Sequence, residues 1–390
     1  MKKGFESKSN IKWPQLLISA LVFTLLLYLP IFENYTAQGA FAILVLAALL
    51  WITEAIPLAL TGLLIPFLAV LMHLATPISA FSQFANPILF LFMGGFVLAG
   101  ALSLHSLDKL IAHKLIGLAR GNFYWSAVAL MLATALAACW VTNTAATAIM
   151  IPLGIGMLVL IKRNTVSAEA KFLMIGIAYS ANIGGILTMV SSPPNAIGAA
   201  ILDLSFGHWL LYSAPLFLLM FPLMIAFITI YFKPDRKLKI DTVIVTNEAI
   251  PANTLLIAIF ILTGVLWILA SLLSPIFTIA NTFSSLVAIL AIFLIFVTKI
   301  MDWSQILASI KWNILLLFGG GLTLGMLIET SGLGSLLVVK VAHLATELPL
   351  FVFLWLIVFF SIVMTEFMSN TASAALILPL LYTMAVQLQI

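Results

Sequence analysis

Apolar stretches of about 20 residues, the length a helix needs to cross roughly 30 Å of hydrocarbon, recur from one end of this chain to the other. That recurrence limits the fold more than any motif does. Within a bilayer every peptide group must find its partner in the protein, so only helices and closed barrels can span it. A barrel would show short segments of alternating polarity, and none is found. The sequence predicts an all-α polytopic membrane protein with spans near 13–31, 38–57, 58–75, 122–161, 172–190, 209–232, 254–272, 280–298 and 348–386. A chain that is 64% hydrophobic and 8% charged is not a soluble domain.

The net charge of +4 carries no nucleic-acid signature, because the basic residues are scattered among short loops. They report topology. Lys2, Lys3, Lys8 and Lys12 precede the first span and place the N-terminus in the cytoplasm, with the chain passing many times through the cytoplasmic (inner) membrane. Most of the later basic loops, at Lys162 to Lys171, Lys233 to Lys239, Lys299 and Lys311, then fall inside as well. No small-residue cleavage site comes after the first span, so it reads as a retained anchor in contact with lipid. The single cysteine, Cys139, excludes an intramolecular disulfide.

The chain also repeats itself. "TNTAATAIMIPL" at 142–153 returns as "SNTASAALILPL" at 369–380, an offset of 227 residues. Upstream, the glycine-broken segments 86–106 and 313–332 align Gly94, Gly95 and Gly100 with Gly319, Gly320 and Gly325 at an offset of 225. Duplicated halves with interrupted helices point to a secondary transporter. Adjacent glycines disfavour a helix, so both glycine segments are expected to be re-entrant hairpins buried in protein. The predicted organisation is a first transmembrane segment, 1–37, then repeat 1, 38–205, with hairpin 86–106 and broken helix 122–161. A connecting helix and loop, 206–253, leads to repeat 2, 254–390, with hairpin 313–332 and broken helix 348–386.

A backbone that unwinds in mid-membrane exposes N–H and C=O groups that need partners. The Thr142 hydroxyl and Asn143 oxygen are hard ligands suited to Na⁺. The Asn143 amide and the Thr144 hydroxyl are donors suited to an anion, and a helix restarting at Ala145 would aim its positive end the same way. Ser369, Asn370 and Thr371 repeat the set. A third cluster, "SSPPNA" at 191–196, should end a span that begins near Phe172, with Asn195 capping the next helix. No Lys or Arg occurs in 86–107, 134–160, 172–196, 313–331 or 356–386. A buried anion without a counter-charge is costly, which favours a mechanism in which bound Na⁺ completes the anion site.

These motifs, with "WITEAIPLALTGLLIP" at 51–66, resemble the divalent anion/sodium symporter family from about residue 40 onward. The resemblance implies two inverted repeats, a homodimer and elevator-type alternating access. It implies Na⁺-coupled movement of a small dianion, a di- or tricarboxylate with C4-dicarboxylates first. Sulfate or arsenite-type permeation and Na⁺-independent anion exchange are the alternatives. It implies one Na⁺ at Thr142, Asn143 and the backbone near Ser191, and a second at Thr365, the backbone near Met368, and Asn370. Substrate would meet Asn143, Thr144, Pro193, Ser369, Asn370 and Thr371. The chain departs from the family pattern at Thr142, where serine is usual, and at Ala138, which carries no hydroxyl. Repeat 2 is also C-terminally incomplete, since a second "SSPPNA" would fall near 418. Truncation is expected, and an inactive remnant is the rival from another class.

No HExxH or G-x-S-x-G motif is present, so no enzyme and no catalytic residue is expected. Glu54, Glu329 and Glu366 are the acidic residues placed to affect function. His73, His105 and His343 fall near span ends without metal-ligand spacing.

Overall fold

A computed structural model describes residues 11–117, 119, 121–164, 166–240, 253–272, 280–339 and 348–388. Among these, every named element is a helix, and the only bridge of β type joins Asn122 to Lys239. Seven of the helices are long and apolar enough to cross a membrane. His343 and the lysines before Ile11 lie outside the described residues.

The helices are α1 (Trp13–Tyr28), α2 (Tyr35–Thr53), α3 (Leu58–Leu71), α4 (Pro77–Ser82), α5 (Pro87–Leu104), α6 (Leu107–Gly117), α7 (Phe123–Ala138), α8 (Asn143–Leu160) and α9 (Ala168–Gly184). They continue as α10 (Pro193–Ile201), α11 (Phe206–Phe232), α12 (Thr254–Leu272), α13 (Ala280–Val297), α14 (Trp303–Ser309), α15 (Trp312–Thr330), α16 (Leu350–Phe367) and α17 (Asn370–Leu388). Local chemistry sets many of their ends. Asn34, Thr76, Asn122, Ser167 and Ser205 each accept a backbone N–H in the first turn of the helix they precede. Ser167 starts α9 at Ala168, earlier than the span expected near Phe172. Asp302 and Gln305 form a reciprocal capping box on α14. Hydrogen bonds from Ser304 and from the Gln305 N–H hold the Asp302 carboxyl below its ordinary range.

Both expected breaks are present. The first broken helix is α7 and α8, interrupted at Cys139–Thr142, and the second is α16 and α17, interrupted at Met368–Ser369. The glycine segments are different from expectation. Helices α5 and α15 run unbroken through their glycines, and the chain turns only afterwards, at His105–Ser106 and at Ser331–Gly332. Ser106 and Gly332 both have positive φ, 52° and 74°.

The physical reason lies in what the glycines touch. The chain divides into two compact units, one of residues 1–89, 200–202 and 312–390, the other of 90–199 and 203–311. In the first, a Cβ on Gly62 of α3 would lie 2.7 Å from the Leu316 carbonyl oxygen of α15, and one on Gly320 would overlap Gly62 itself. In the second, a Cβ on Gly94 of α5 would lie 2.5 Å from the Ala288 side chain of α13. These glycines permit close helix crossing. The two crossings also correspond to within one residue of the glycine register: Gly320 lies 226 residues beyond Gly94, and Ala288 lies 226 beyond Gly62, against the offset of 225. Each unit thus joins segments from both sequence halves.

Smaller contacts lock the connecting loops. In the second unit, the Asn122 amide donates to the Arg236 carbonyl at 2.8 Å, and the Arg236 guanidinium lies over the Tyr124 ring at 5.1 Å. This pins the basic loop after α11 to the start of α7. In the first unit, Lys12 Nζ donates to the Thr53 carbonyl at 2.8 Å at the end of α2. Glu54 is the left-handed residue that ends this helix, with φ 48°, so its place is that of a terminator.

Candidate functional site

The first break sits where three segments of the second unit meet: the end of α7, the start of α8, and the chain from α9 to α10. Gly184 makes this possible, because a Cβ there would lie 2.5 Å from Ala135 Cα. Cys139 Sγ donates to the Ala135 and Gly184 carbonyls at 3.2 and 3.5 Å. Thr188 returns a short hydrogen bond from its hydroxyl to the Cys139 carbonyl. Trp140 anchors the break from the other side, 4.4 Å between ring centroids from Phe260 and stacked on Phe206 and Trp267. Aromatic pairs of this kind contribute about 0.5–1.5 kcal/mol each beyond area burial. The unwound stretch is held rigidly.

Asn143 opens α8, two residues earlier than the restart expected at Ala145. Its Nδ2 donates to Asn182 Oδ1 of α9 at 3.0 Å. Its Oδ1 is buried without a hydrogen-bond partner and lies against Gly185, where a Cβ would collide with it. A buried, unpartnered oxygen needs explanation, and a hard cation would satisfy it. Thr142 precedes the helix in extended conformation, φ −63° and ψ 148°, with no side-chain capping bond. The first N–H groups of α8 are therefore not taken by the usual cap. Thr142 is half-buried and Thr144 exposed.

The "SSPPNA" cluster folds otherwise than expected. Helix α9 already ends at Gly184, and Pro193 and Pro194 start α10, where a missing N–H costs nothing. Asn195 does not cap this helix. Its Nδ2 reaches back to the Gly185 and Thr188 carbonyls at 2.8 and 2.9 Å. The buried Ser191 hydroxyl donates to the same two carbonyls. Together they close the loop 185–191 on itself, while Pro193 is half-buried beside it. Beside the break an apolar cavity of about 480 Å³ is lined by Leu110, Lys114, Trp140, Val141 and Phe260. Its wall is mostly apolar, with Lys114 and Thr188 among the few polar side chains.

The second break belongs to the first unit. Thr365 Oγ1 donates to the Ile362 carbonyl at 2.8 Å, and Met368 is extended at φ −142° and ψ 167°. Ser369 caps α17, its hydroxyl accepting the Ala372 N–H at 3.2 Å. Asn370 is exposed and Thr371 half-buried. Here the buried oxygen without a partner is Ser373 Oγ, one turn inside the helix. Glu366 is exposed, and Glu329 borders a cavity of about 390 Å³ between α15 and α17. His105 Nε2 lies 3.1 Å from the Ile300 carbonyl, a structural contact. Among the described residues no cluster of His, Cys, Asp and Glu could hold a metal ion.

Asn182 and Gly185 were missed by the sequence reading. Asn182 carried a signal, being the only carboxamide in the expected span 172–190.

The chain is similar to known transporters. A model of the citrate transporter family matches residues 48–390. An uncharacterized transporter of Haemophilus influenzae is 40% identical over 94% of this chain and 80% of its own length. An uncharacterized transporter of Methanocaldococcus jannaschii is 38% identical, over 87% and 77%. A protein of Staphylococcus saprophyticus named sodium-dependent dicarboxylate transporter SdcS is 31% identical, over 95% and 77%. With its apolar helices, its two polar breaks and this match across most of its length, the chain is a multi-pass membrane transporter, not an enzyme, and belongs to the citrate transporter family.

Proposed function

We propose that this protein is a secondary active transporter of di- or tricarboxylates, C4-dicarboxylates first, driven by Na⁺ across the cytoplasmic membrane. The observation that carries the reading is the buried Asn143 oxygen, unpartnered against Gly185 at the uncapped start of α8. The residues present fit a hard cation there: Asn143, the Thr142 hydroxyl and the backbone near Ser191 would hold Na⁺. Thr365, the backbone near Met368, and Asn370 would hold a second. For substrate carboxylates, Asn143 and Thr144, with Pro193 lining, are the candidate donors at the first break, and Ser369, Asn370 and Thr371 are the candidate donors at the second. The printed name of the S. saprophyticus relative supports both the ion and the substrate class.

Bound Na⁺ would supply the positive charge missing from 134–160, 172–196 and 356–386, which hold no Lys or Arg, so ion binding precedes anion binding. The crossings Gly62–Gly320 and Gly94–Ala288 support a pair of structural repeats; elevator-type alternating access, a homodimer and a cytoplasmic N-terminus complete the proposal on the resemblance and the basic N-terminal residues alone. Succinate uptake into proteoliposomes tests the reading. Uptake should collapse when choline replaces external Na⁺. Undiminished uptake that requires internal dicarboxylate would replace symport by Na⁺-independent exchange.

A further inference from the structure

We infer that Asn182 is a positioning residue that decides which end of the Asn143 carboxamide faces the coupling ion, an inference that rests on the reading of Asn143 as a Na⁺ ligand. A carboxamide has two unlike ends, an acceptor oxygen and a donor NH₂. Whichever end is bonded elsewhere leaves the other to face the site. Asn143 Nδ2 is bonded to Asn182 Oδ1 at 3.0 Å, so the oxygen is the end left buried against Gly185. Reversed, Asn143 would present two N–H donors to a cation.

The support for that orientation is stiff. Asn182 lies in the last turn of α9, and α9 is held against α7 by the contact of Gly184 with Ala135. Next along the chain, Gly185 forms the wall the oxygen touches. One short segment, 182–185, therefore supplies both the acceptor that turns the amide and the space its oxygen occupies. Asn182 is itself exposed, so its contribution is to set a direction and not to fill a core.

The test is the Na⁺ dependence of succinate uptake by the full chain in proteoliposomes. Asn182→Ala should raise the half-saturating Na⁺ concentration about three- to tenfold, the factor one neutral hydrogen bond carries, with the maximal rate at saturating Na⁺ retained. Asn182→Asp, when ionised, can only accept, so it keeps the Asn143 amide in the same direction and should not raise the half-saturating Na⁺ concentration above about twofold that of the parent, its charge acting if anything to lower it. If Asn182→Ala does not reconstitute, Asn182→Leu carries the same expectation. No shift in the alanine variant, or an equal shift in alanine and aspartate, overturns the inference while leaving the Na⁺ site standing. A parent protein indifferent to Na⁺ overturns both.

Discussion

The two polar breaks are written in nearly the same letters and folded to different ends. At the first, Thr142 leaves the helix start uncapped, and Asn143 is held by Asn182 with its oxygen buried. At the second, the Ser369 hydroxyl is spent on the Ala372 N–H, Thr365 donates to its own helix, and Asn370 is exposed. A hydroxyl that caps a helix commits one lone pair to stability and keeps its proton to donate, and one that does not cap keeps both. The first break thus leaves its Thr142 hydroxyl and Asn143 oxygen without protein partners among the described residues, whereas at the second the Ser369 oxygen already accepts a helix N–H.

The strongest test of that contrast removes the amides. Asn143→Ala should abolish Na⁺-dependent uptake, a fall of about 10- to 100-fold, the range expected for a polar contact to a charged group. Asn370→Ala should abolish it as well, with membrane insertion intact in both. Uptake that survives in Asn370→Ala alone would confine the ion to the first break.

A smaller effect is expected from filling the space beside the amide. The added methyl of Gly185→Ala collides with Asn143 Oδ1, and overpacking of this kind costs about 1–3 kcal/mol. Na⁺ half-saturation should rise about tenfold, read from the same uptake curves. An unchanged curve would mean that the oxygen is not where the ion binds.

The smallest effect separates the caps. Ser369→Ala should lower thermal stability in detergent by about 1 kcal/mol, the usual value of an N-cap side chain. Thr142→Ala should cost no capping energy and act on Na⁺ dependence instead. Equal destabilisation by both would erase the distinction between the two breaks.

Much of the fold was legible because a polar residue in a long apolar run has few meanings. "TNT" and "SNT" marked both breaks to within two residues, and the span limits near 13, 58, 254 and 280 match helix starts. The glycine segments were misread for a definite reason. Gly94 and Gly320 disfavour a helix locally, but their purpose is set by Ala288 and Gly62, far away in the chain. Local propensity cannot contain that information. The orientation of Asn143 was equally hidden, since it depends on an acceptor 39 residues onward.

The crossing of α3 with α15 also orders the making of the protein. Helix α3 ends at Leu71 and its partner begins at Trp312, so α3 enters the bilayer long before the surface it packs against has been synthesised. At about 5–20 residues per second, the wait lasts on the order of tens of seconds. Gly62 spends that interval as a bare notch in an otherwise apolar helix, and an early competitor for it would be an obstacle to biogenesis and not to transport.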